Sequence, residues 1–421
     1  MKVFKFGGAS IKDASRFNDS GALIGLHSTE KLVVIVSAMG KTTNALEKVV
    51  DAFTSGNKET ALMEFDVLKK SHLSLCEELL DKELASTKIK LNEVFTEVEW
   101  LLHDQAVRNY DYYYDQIVCV GELMSTIIMN GLLMEKGYSS AWLDVRDVLR
   151  TDNQFRNAGV DWEQSSKLIT DAANKIHSNK QILITQGFIG ATDENESTTL
   201  GREGSDYTAA IFANVLNAES VTIWKDVESI MNADPKEFDD AVSIPKLSFT
   251  EVIEMAYYGA QVIHPKTIKP LQNKGIPLLV KSFLDPSLEG SRIDATVVKS
   301  LPPIIVRKKN QVLLKFTSRD FSFLEDETIS WLQSKFSAHR VNPNVSQKTA
   351  ISLLCCVDDK PERLEALCLE AGEIFDVEME RNLVLLTVRH YDPAKLKQLI
   401  GNGISILEQK TPETIQVLMR C

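Results

Sequence analysis

The sequence predicts an α/β protein: a mostly parallel sheet sandwiched by helices, followed by a smaller α+β module. Two observations lead there. Over residues 1–300, short apolar runs alternate with longer helical patterns, the order of a parallel sheet covered on both faces. Those runs are mainly apolar and read as buried strands. Beyond Pro302-Pro303, a linker-like pair, the elements shorten.

The strand runs are "VFKF" (3–6), "KLVVIVSA" (31–38), "QILITQGFIG" (181–190), "SVTIWKD" (220–226) and "IPLLVKSF" (276–283). Helical patterns cover 11–27, 43–55, 58–82, 86–107, 115–136, 205–217 and 249–259. The block 58–136 is nearly all helix and is expected to be a helical insertion in the domain 1–300. In the tail, 301–421, strand-like "IIVRKKNQVLLKF", "TAISLLCCV", "NLVLLTV" and "TIQVLMRC" alternate with helical "FLEDETISWLQSKFSA", "PERLEALCLEAG" and "DPAKLKQLIG". Two small α+β units fit this tail, as in a regulatory or pairing module.

Composition narrows the function. The 421 residues exceed one ordinary domain. A hydrophobic content of 44% supports a sizeable core. The net charge of -12 argues against non-specific nucleic-acid binding. Six cysteines without a CxxC pair fit reduced thiols in a cytoplasm. No uninterrupted apolar run is expected to span a membrane, and "MKVFKFGGAS" is too polar for a signal peptide.

Several motifs carry chemistry. "AMGKTTNAL" ends like a P-loop, but that motif needs glycine where Ile35 stands. It still joins a strand to a helix, where ligands bind in open α/β sheets, and Thr42, Thr43 and Asn44 can cap that helix. In "KFGGAS", Gly7 and Gly8 allow close backbone approach to a phosphate, and Lys5 offers a point charge. A plain glycine turn is the simpler reading. Glu122 in "GELMS" opens an apolar helix, where an acid ordinarily complements the macrodipole. "TTLGREGSDYTAAIFANVL" (198–216) sets Arg202, Glu203, Ser205 and Asp206 ahead of a buried helix whose N–H groups face an anion. Arg202 has the fork to grip a carboxylate. Asp206 beside phosphates would position a lysine or hold a metal-bound water. A helix cap beside a surface arginine is the bland alternative.

Together these stretches resemble the aspartate kinases of the amino-acid kinase family. "KFGGAS", "GELMSTIIM", "WLDVRDVLRTDN", "ITQGFIG", "TLGREGSDYTAA" and "YGAQVIHPKTI" have counterparts there in the same order. The resemblance is close over residues 1–300 and looser in the tail, which corresponds to paired ACT domains. It implies an amino-acid kinase-like fold, and transfer of the ATP γ-phosphate to the β-carboxylate of L-aspartate. The product would be 4-phospho-L-aspartate, the first step toward lysine, threonine and methionine. It implies Lys5 and Asp206 as catalytic residues, and Ser37, Thr43, Glu122, Arg202, Gly204 and Ser205 around the substrate. Lys5, Gly7, Gly8, Lys225, Asp226, Met231, Lys236 and Gln261 would contact ATP. Mg2+ would come with the nucleotide, held by phosphates and water rather than by a protein cage.

The chain departs from the family pattern mainly on the nucleotide side. Glu203 replaces the second glycine of GRGGSD. Lys225 stands in the W-T-D stretch, Met231 in place of a tyrosine, Lys236 in place of an arginine, and Gln261 in place of the lysine of GAKVLHP. Two other readings remain open. A kinase for another acid, such as N-acetylglutamate, is opposed by the "GELMST" and "WLDVRDVLRT" stretches. A non-catalytic amino-acid sensor is favoured by Glu203 and Gln261 and opposed by Lys5, Arg202 and Asp206 together. A fused dehydrogenase is not expected, since no GxGxxG follows a strand. In the tail, "VNPNVSQKTAISLL" (341–354) corresponds to the effector stretch. Lys348 places a cation where a lysine effector would lie. The resemblance implies a tail that forms a homodimer, and Lys348 a weak response to lysine; a tail that only packs on its own kinase domain is the alternative.

Overall fold

The computed structural model describes residues 1–260, 262–320 and 322–420. The chain forms two compact units. The first takes Met1–Ile230, Ser243–Ile253 and a stretch ending at Val298; the second takes Met231–Val242, Glu254–Ala260 and the chain from Lys299 onward.

In the first unit, the N-terminal half supplies β1 (Lys2–Phe6), α1 (Ala14–Gly25), β2 (Leu32–Val36), α2 (Thr42–Thr54), α3 (Lys58–Leu79) and α4 (Leu84–His103). Then come α5 (Tyr110–Val118), α6 (Val120–Glu135), β3 (Ser140–Leu143), α7 (Trp162–His177) and β4 (Ile182–Gln186). There follow β5 (Ile189–Ala191), β6 (Ser197–Thr199), α8 (Gly204–Val215), β7 (Ser220–Lys225) and β8 (Lys246–Ser248). Helix α9 (Phe249–Tyr257), whose residues from Glu254 onward are counted with the second unit, α10 (Pro265–Lys274), β9 (Leu278–Ser282) and β10 (Ser291–Asp294) close the series.

The main sheet has the order β3-β4-β2-β1-β7-β9-β10-β8. Its first six strands run parallel; only β9 and β10 pair antiparallel. Every residue of β2 and β4 is buried, as the apolar sequence of β2 and the largely apolar one of β4 require when both faces are covered. Parallel pairing brings the C-terminal ends of β1, β2, β4 and β7 to one rim. Helix α6 packs on β2, β3 and β4 and also against α1 and α4. The stretch Tyr110–Glu135 is long and apolar enough to cross a membrane by composition, with 94% of its most apolar window buried inside the fold. Its Ser, Thr and Asn residues interrupt the apolar run and hid that length in the sequence.

The sequence reading misses α7 and α10, whose buried residues are few among polar ones. It also misses β3, β8 and β10, each of three or four residues. Helix α2 starts at Thr42 behind Lys41, with no side-chain cap. Thr42, Thr43 and Asn44 therefore lie inside its first turn instead of capping it.

The second unit is a six-stranded antiparallel sheet. It contains β11 (Ile304–Ser318), α11 (Asp326–Ala338), β12 (Pro343–Lys348), β13 (Ser352–Asp358) and α12 (Pro361–Ala371). It continues with β14 (Phe375–Arg389), α13 (Pro393–Ile400), β15 (Ile404–Lys410) and β16 (Thr414–Arg420). The order β12-β13-β11-β14-β16-β15 makes the long strands β11 and β14 common to two halves. A register shift between Lys308 and Gln311 marks the passage from one half to the other. Leu332, Phe336, Leu364 and Leu367 of α11 and α12 pack on Leu314 and Phe316 in one half. Leu396 and Leu399 of α13, with Phe238, cover Leu386 and Val417 in the other.

Candidate active site

The rim of the main sheet holds a cavity of about 450 Å3, and its walls come from six chain segments. From β1 comes Lys5, whose neighbours Phe4 and Phe6 are buried in the core. Its Nζ lies 2.7 Å from Asp206 Oδ1, with the lysine side chain 12% and the aspartate 4% exposed. Asp206 sits in the first turn of α8, which packs on β1, β2 and β7. Asp206 thus stands within ion-pair distance of Lys5, one of the two placements open to it in the sequence. A pair this sheltered holds the ammonium in one place more firmly than an exposed pair would.

The turn after β1 contributes Gly8. A Cβ there would stand 2.7 Å from the Ala38 carbonyl and 3.0 Å from that of Gly40. Only glycine lets the β1 and β2 turns approach this closely, and the Gly40 N–H donates to the Gly8 carbonyl. Gly7 precedes it and is not among the cavity-lining residues; its carbonyl accepts from the Ser10 backbone and hydroxyl. The turn after β2 adds Ser37, Ala38 and Thr43.

Helix α6 is clamped to that turn. Ser125 Oγ donates to the Ser37 carbonyl at 2.6 Å, and Glu122 Oε1 accepts from the Ala38 N–H at 3.1 Å. Glu122 is 3% exposed, and its Oε2 has no hydrogen-bond partner. Burial pushes its carboxyl up to about 8, opposed by the Ala38 N–H and by Lys5. A buried carboxylate oxygen facing a cavity with no partner fits a cationic ligand group, since leaving it unsatisfied is costly.

The loop before α8 supplies Arg202, Glu203, Gly204 and Ser205. The helix begins at Gly204, one residue ahead of the expected start. Glu203 precedes it in a left-handed conformation (φ 55°) and makes no side-chain cap. Its carboxylate instead accepts from the His264 N–H at 2.8 Å. The charge that the sequence placed beside an anion site is therefore engaged in holding the segment that leads into α10. Burial keeps the neighbouring His264 below the usual histidine range, although Glu203 opposes the shift.

The cavity thus gathers Lys5, Gly8, Ser37, Thr43, Glu122, Arg202, Gly204, Ser205 and Asp206. The expected nucleotide contacts are placed differently. Lys225 is at the end of β7, with its Nζ donating to the Val262 carbonyl at 2.8 Å. Asp226 follows in an exposed bend. Met231 and Lys236 belong to the second unit, where the Lys236 N–H donates to Asp234. Gln261 lies outside the described residues.

The structure also adds residues that sequence reasoning missed: Tyr114, Arg156, Phe188 and Thr199 line the same cavity. Behind them is Asp115, fully buried, which accepts from the Arg156 N–H (2.9 Å), the Thr199 N–H (2.8 Å) and Thr199 Oγ1 (2.7 Å). Burial raises its carboxyl to about 6 in spite of those bonds. The sequence reading starts a helix at 115 and leaves Asp111 outside it, and neither acid stands in a motif that marks Asp115 as the buried one.

Known proteins share this architecture. The model of the amino acid kinase family matches residues 1–282. Lysine-sensitive aspartokinase 3 of Escherichia coli (strain K12) is 30% identical over 416 residues, 96% of this chain and 87% of that protein. The bifunctional aspartokinase/homoserine dehydrogenase of Haemophilus influenzae is 34% identical over 302 residues, which cover 70% of this chain and 37% of that one. Among solved structures, E. coli aspartokinase III in complex with aspartate and ADP superposes with a TM-score of 0.83 at 26% identity, over 100% of this chain and 96% of that chain. The continuous family match, the parallel sheet with its rim cavity and the antiparallel second unit agree: this chain belongs to the amino acid kinase family, among its aspartokinases.

Proposed function

We propose that this protein is an ATP-dependent aspartate kinase that transfers the γ-phosphoryl group to the β-carboxylate of L-aspartate, giving 4-phospho-L-aspartate. The observation that carries this reading is a single cavity holding the Lys5–Asp206 pair and the unpartnered Glu122 oxygen. Its likeness to a structure in complex with aspartate and ADP supports the same substrates here.

The β-carboxylate is already ionised near neutral pH, so the reaction needs no strong general base. Alignment and charge neutralisation do the catalytic work. In this reading Glu122 receives the substrate ammonium, Arg202 grips a carboxylate, and Ser37, Thr43 and Ser205 complete the amino-acid site. Lys5, fixed by Asp206, stabilises the charge that gathers on the transferring phosphoryl oxygens. The turn at Gly8 and the Ser205 N–H at the start of α8 would offer backbone donors to phosphate. Mg2+ fits as a companion of the nucleotide, held by phosphate oxygens and water. It would share the negative charge of the phosphates with Lys5.

The same reading places the protein in the cytoplasm, supported by the free thiols of Cys76, Cys119, Cys355, Cys356 and Cys368. Its acidic charge supports small-molecule rather than nucleic-acid partners. The second unit is read as an ACT-like pair that dimerises. The direct experiment is an assay with ATP, Mg2+ and L-aspartate in which hydroxylamine traps the acyl phosphate. Hydroxamate formation that depends on both substrates is expected; ATP-independent signal, or preference for N-acetylglutamate, would refute the assignment.

A further inference from the structure

We propose that Arg156 is a second substrate-reading arginine, which joins Arg202 on the carboxylate of aspartate that is not phosphorylated. The inference rests on the aspartate-kinase reading for the identity of the substrate, and on geometry for the rest.

Arg156 lines the cavity from a left-handed backbone position (φ 68°). A side chain there carries strain that glycine would avoid. The backbone is nevertheless held, because the Arg156 N–H donates to fully buried Asp115. Its guanidinium is shelved on an aromatic face, with Cζ 4.3 Å from the Tyr114 ring centroid. That ring is fixed in turn by Tyr114 Oη donating to Glu47 at 3.1 Å. Stacking leaves the edge of the guanidinium, which carries its donors, free to meet a planar carboxylate. The present ionic partner of Arg156 is Asp111 at 3.1 Å, with the two side chains 46% and 55% exposed. A pair this exposed contributes little and is readily exchanged for a ligand.

Position decides which carboxylate is read. A Cβ on Gly201 would lie 3.1 Å from the Arg156 carbonyl, so Arg156 borders the residue next to Arg202. Lys5 is engaged elsewhere, with Asp206. The backbone segments that carry the two arginines therefore adjoin at the cavity wall, while the phosphoryl-transfer lysine is held by Asp206. The α-carboxylate belongs with the arginines and the β-carboxylate with Lys5.

The test compares wild type, Arg156→Gly and Arg156→Lys. Calorimetry measures L-aspartate binding, and hydroxamate trapping measures turnover of aspartate and of its α-amide, which lacks the α-carboxylate. Arg156→Gly relieves backbone strain, so its melting temperature should be retained or raised. Its aspartate Kd and KM should rise roughly tenfold to a hundredfold, with kcat and the KM for ATP little changed. Its preference for aspartate over the α-amide should shrink by a similar factor, and Arg156→Lys should recover only part of the loss. A folded Arg156→Gly protein with wild-type aspartate binding and wild-type α-amide discrimination would overturn the inference. If wild type binds aspartate without turnover while Arg156→Gly binds weakly, the kinase reading fails and the role of Arg156 stands. If wild type does not bind aspartate, both fail.

Discussion

Two buried acids in the cavity have opposite circumstances. Asp206 has an ammonium at 2.7 Å, whereas one oxygen of Glu122 has no partner. Removing either member of the Lys5–Asp206 pair should therefore act on the chemical step. Lys5→Ala and Asp206→Ala should each lower kcat by roughly 10²–10⁴-fold while aspartate binding changes far less. Steady-state kinetics beside calorimetric binding checks this, and near-normal turnover in either variant would contradict the assigned roles. Glu122 makes a pH-dependent prediction. With its carboxyl raised to about 8 from an ordinary 4.5, the folded protein holds a proton there that the unfolded chain has lost. Its contribution to stability is therefore complete below about pH 4.5 and fades as pH rises through 8. Glu122→Gln, which cannot titrate, should gain melting temperature relative to wild type at pH 8 compared with pH 5. An ammonium docking on Glu122 would favour the ionised form. Aspartate binding near pH 7 should thus release a proton, seen as a binding heat that varies with the ionisation enthalpy of the buffer. The Gln variant should lose that dependence and bind aspartate about tenfold more weakly or worse.

At the scale of elements, the site depends on how α5, α6 and α8 are fastened to strand ends. Helix α6 is tied through Ser125 and Glu122 to the turn after β2. Helix α5 is tied through Asp115 to β6 and to the loop bearing Arg156. Asp115→Ala would strand three donors at a buried point. It should cost about 2–5 kcal/mol of stability and loosen the Arg156 loop, raising the KM for aspartate as well. Denaturant unfolding alongside aspartate titration tests both effects; an unchanged unfolding midpoint would show that the three bonds do not hold the loop. Here the sequence was least informative. Lys5, Glu122 and Asp206 stand in motifs with a family likeness, whereas Asp115, Tyr114 and Arg156 stand in segments that read as ordinary helix and loop. The short strands β3, β8 and β10 and the polar edge strands β12 and β15 were missed for a related reason: three to seven residues with few buried side chains have no periodicity to detect.

At the scale of the whole molecule, β12 is an edge strand of the second unit, and exposed edges invite pairing with another chain. The full-length protein should be a dimer by light scattering, and a chain ending near Ser300 should not; a monomeric full-length protein would exclude pairing through the tail. The same strand argues for weak lysine inhibition. Asn344 is already satisfied within the unit: its amide donates to Gln311 and Asp358, and its carbonyl accepts from Lys308. Lys348 is 45% exposed, with Asp326 at 3.9 Å, and its charge opposes a lysine ligand. Activity should therefore stay near its unliganded value at submillimolar lysine, and strong inhibition there would refute the argument.

By itself, the sequence determined the class of sheet, because apolar runs such as "LVVIV" and "ILI" are stable only when covered on both faces. It also pointed to Lys5, Glu122, Arg202 and Asp206, because those residues stand in ordered motifs beside strand ends and a helix start. The tertiary structure alone decided what these groups do to one another. Glu203 bonds to a backbone N–H 61 residues away, Asp115 reaches Thr199 across 84 residues, and Arg156 enters a cavity whose other walls are distant in the chain. Such pairings depend on where parallel strands end and how helices cross them. Neither is written in the local periodicity that a sequence displays.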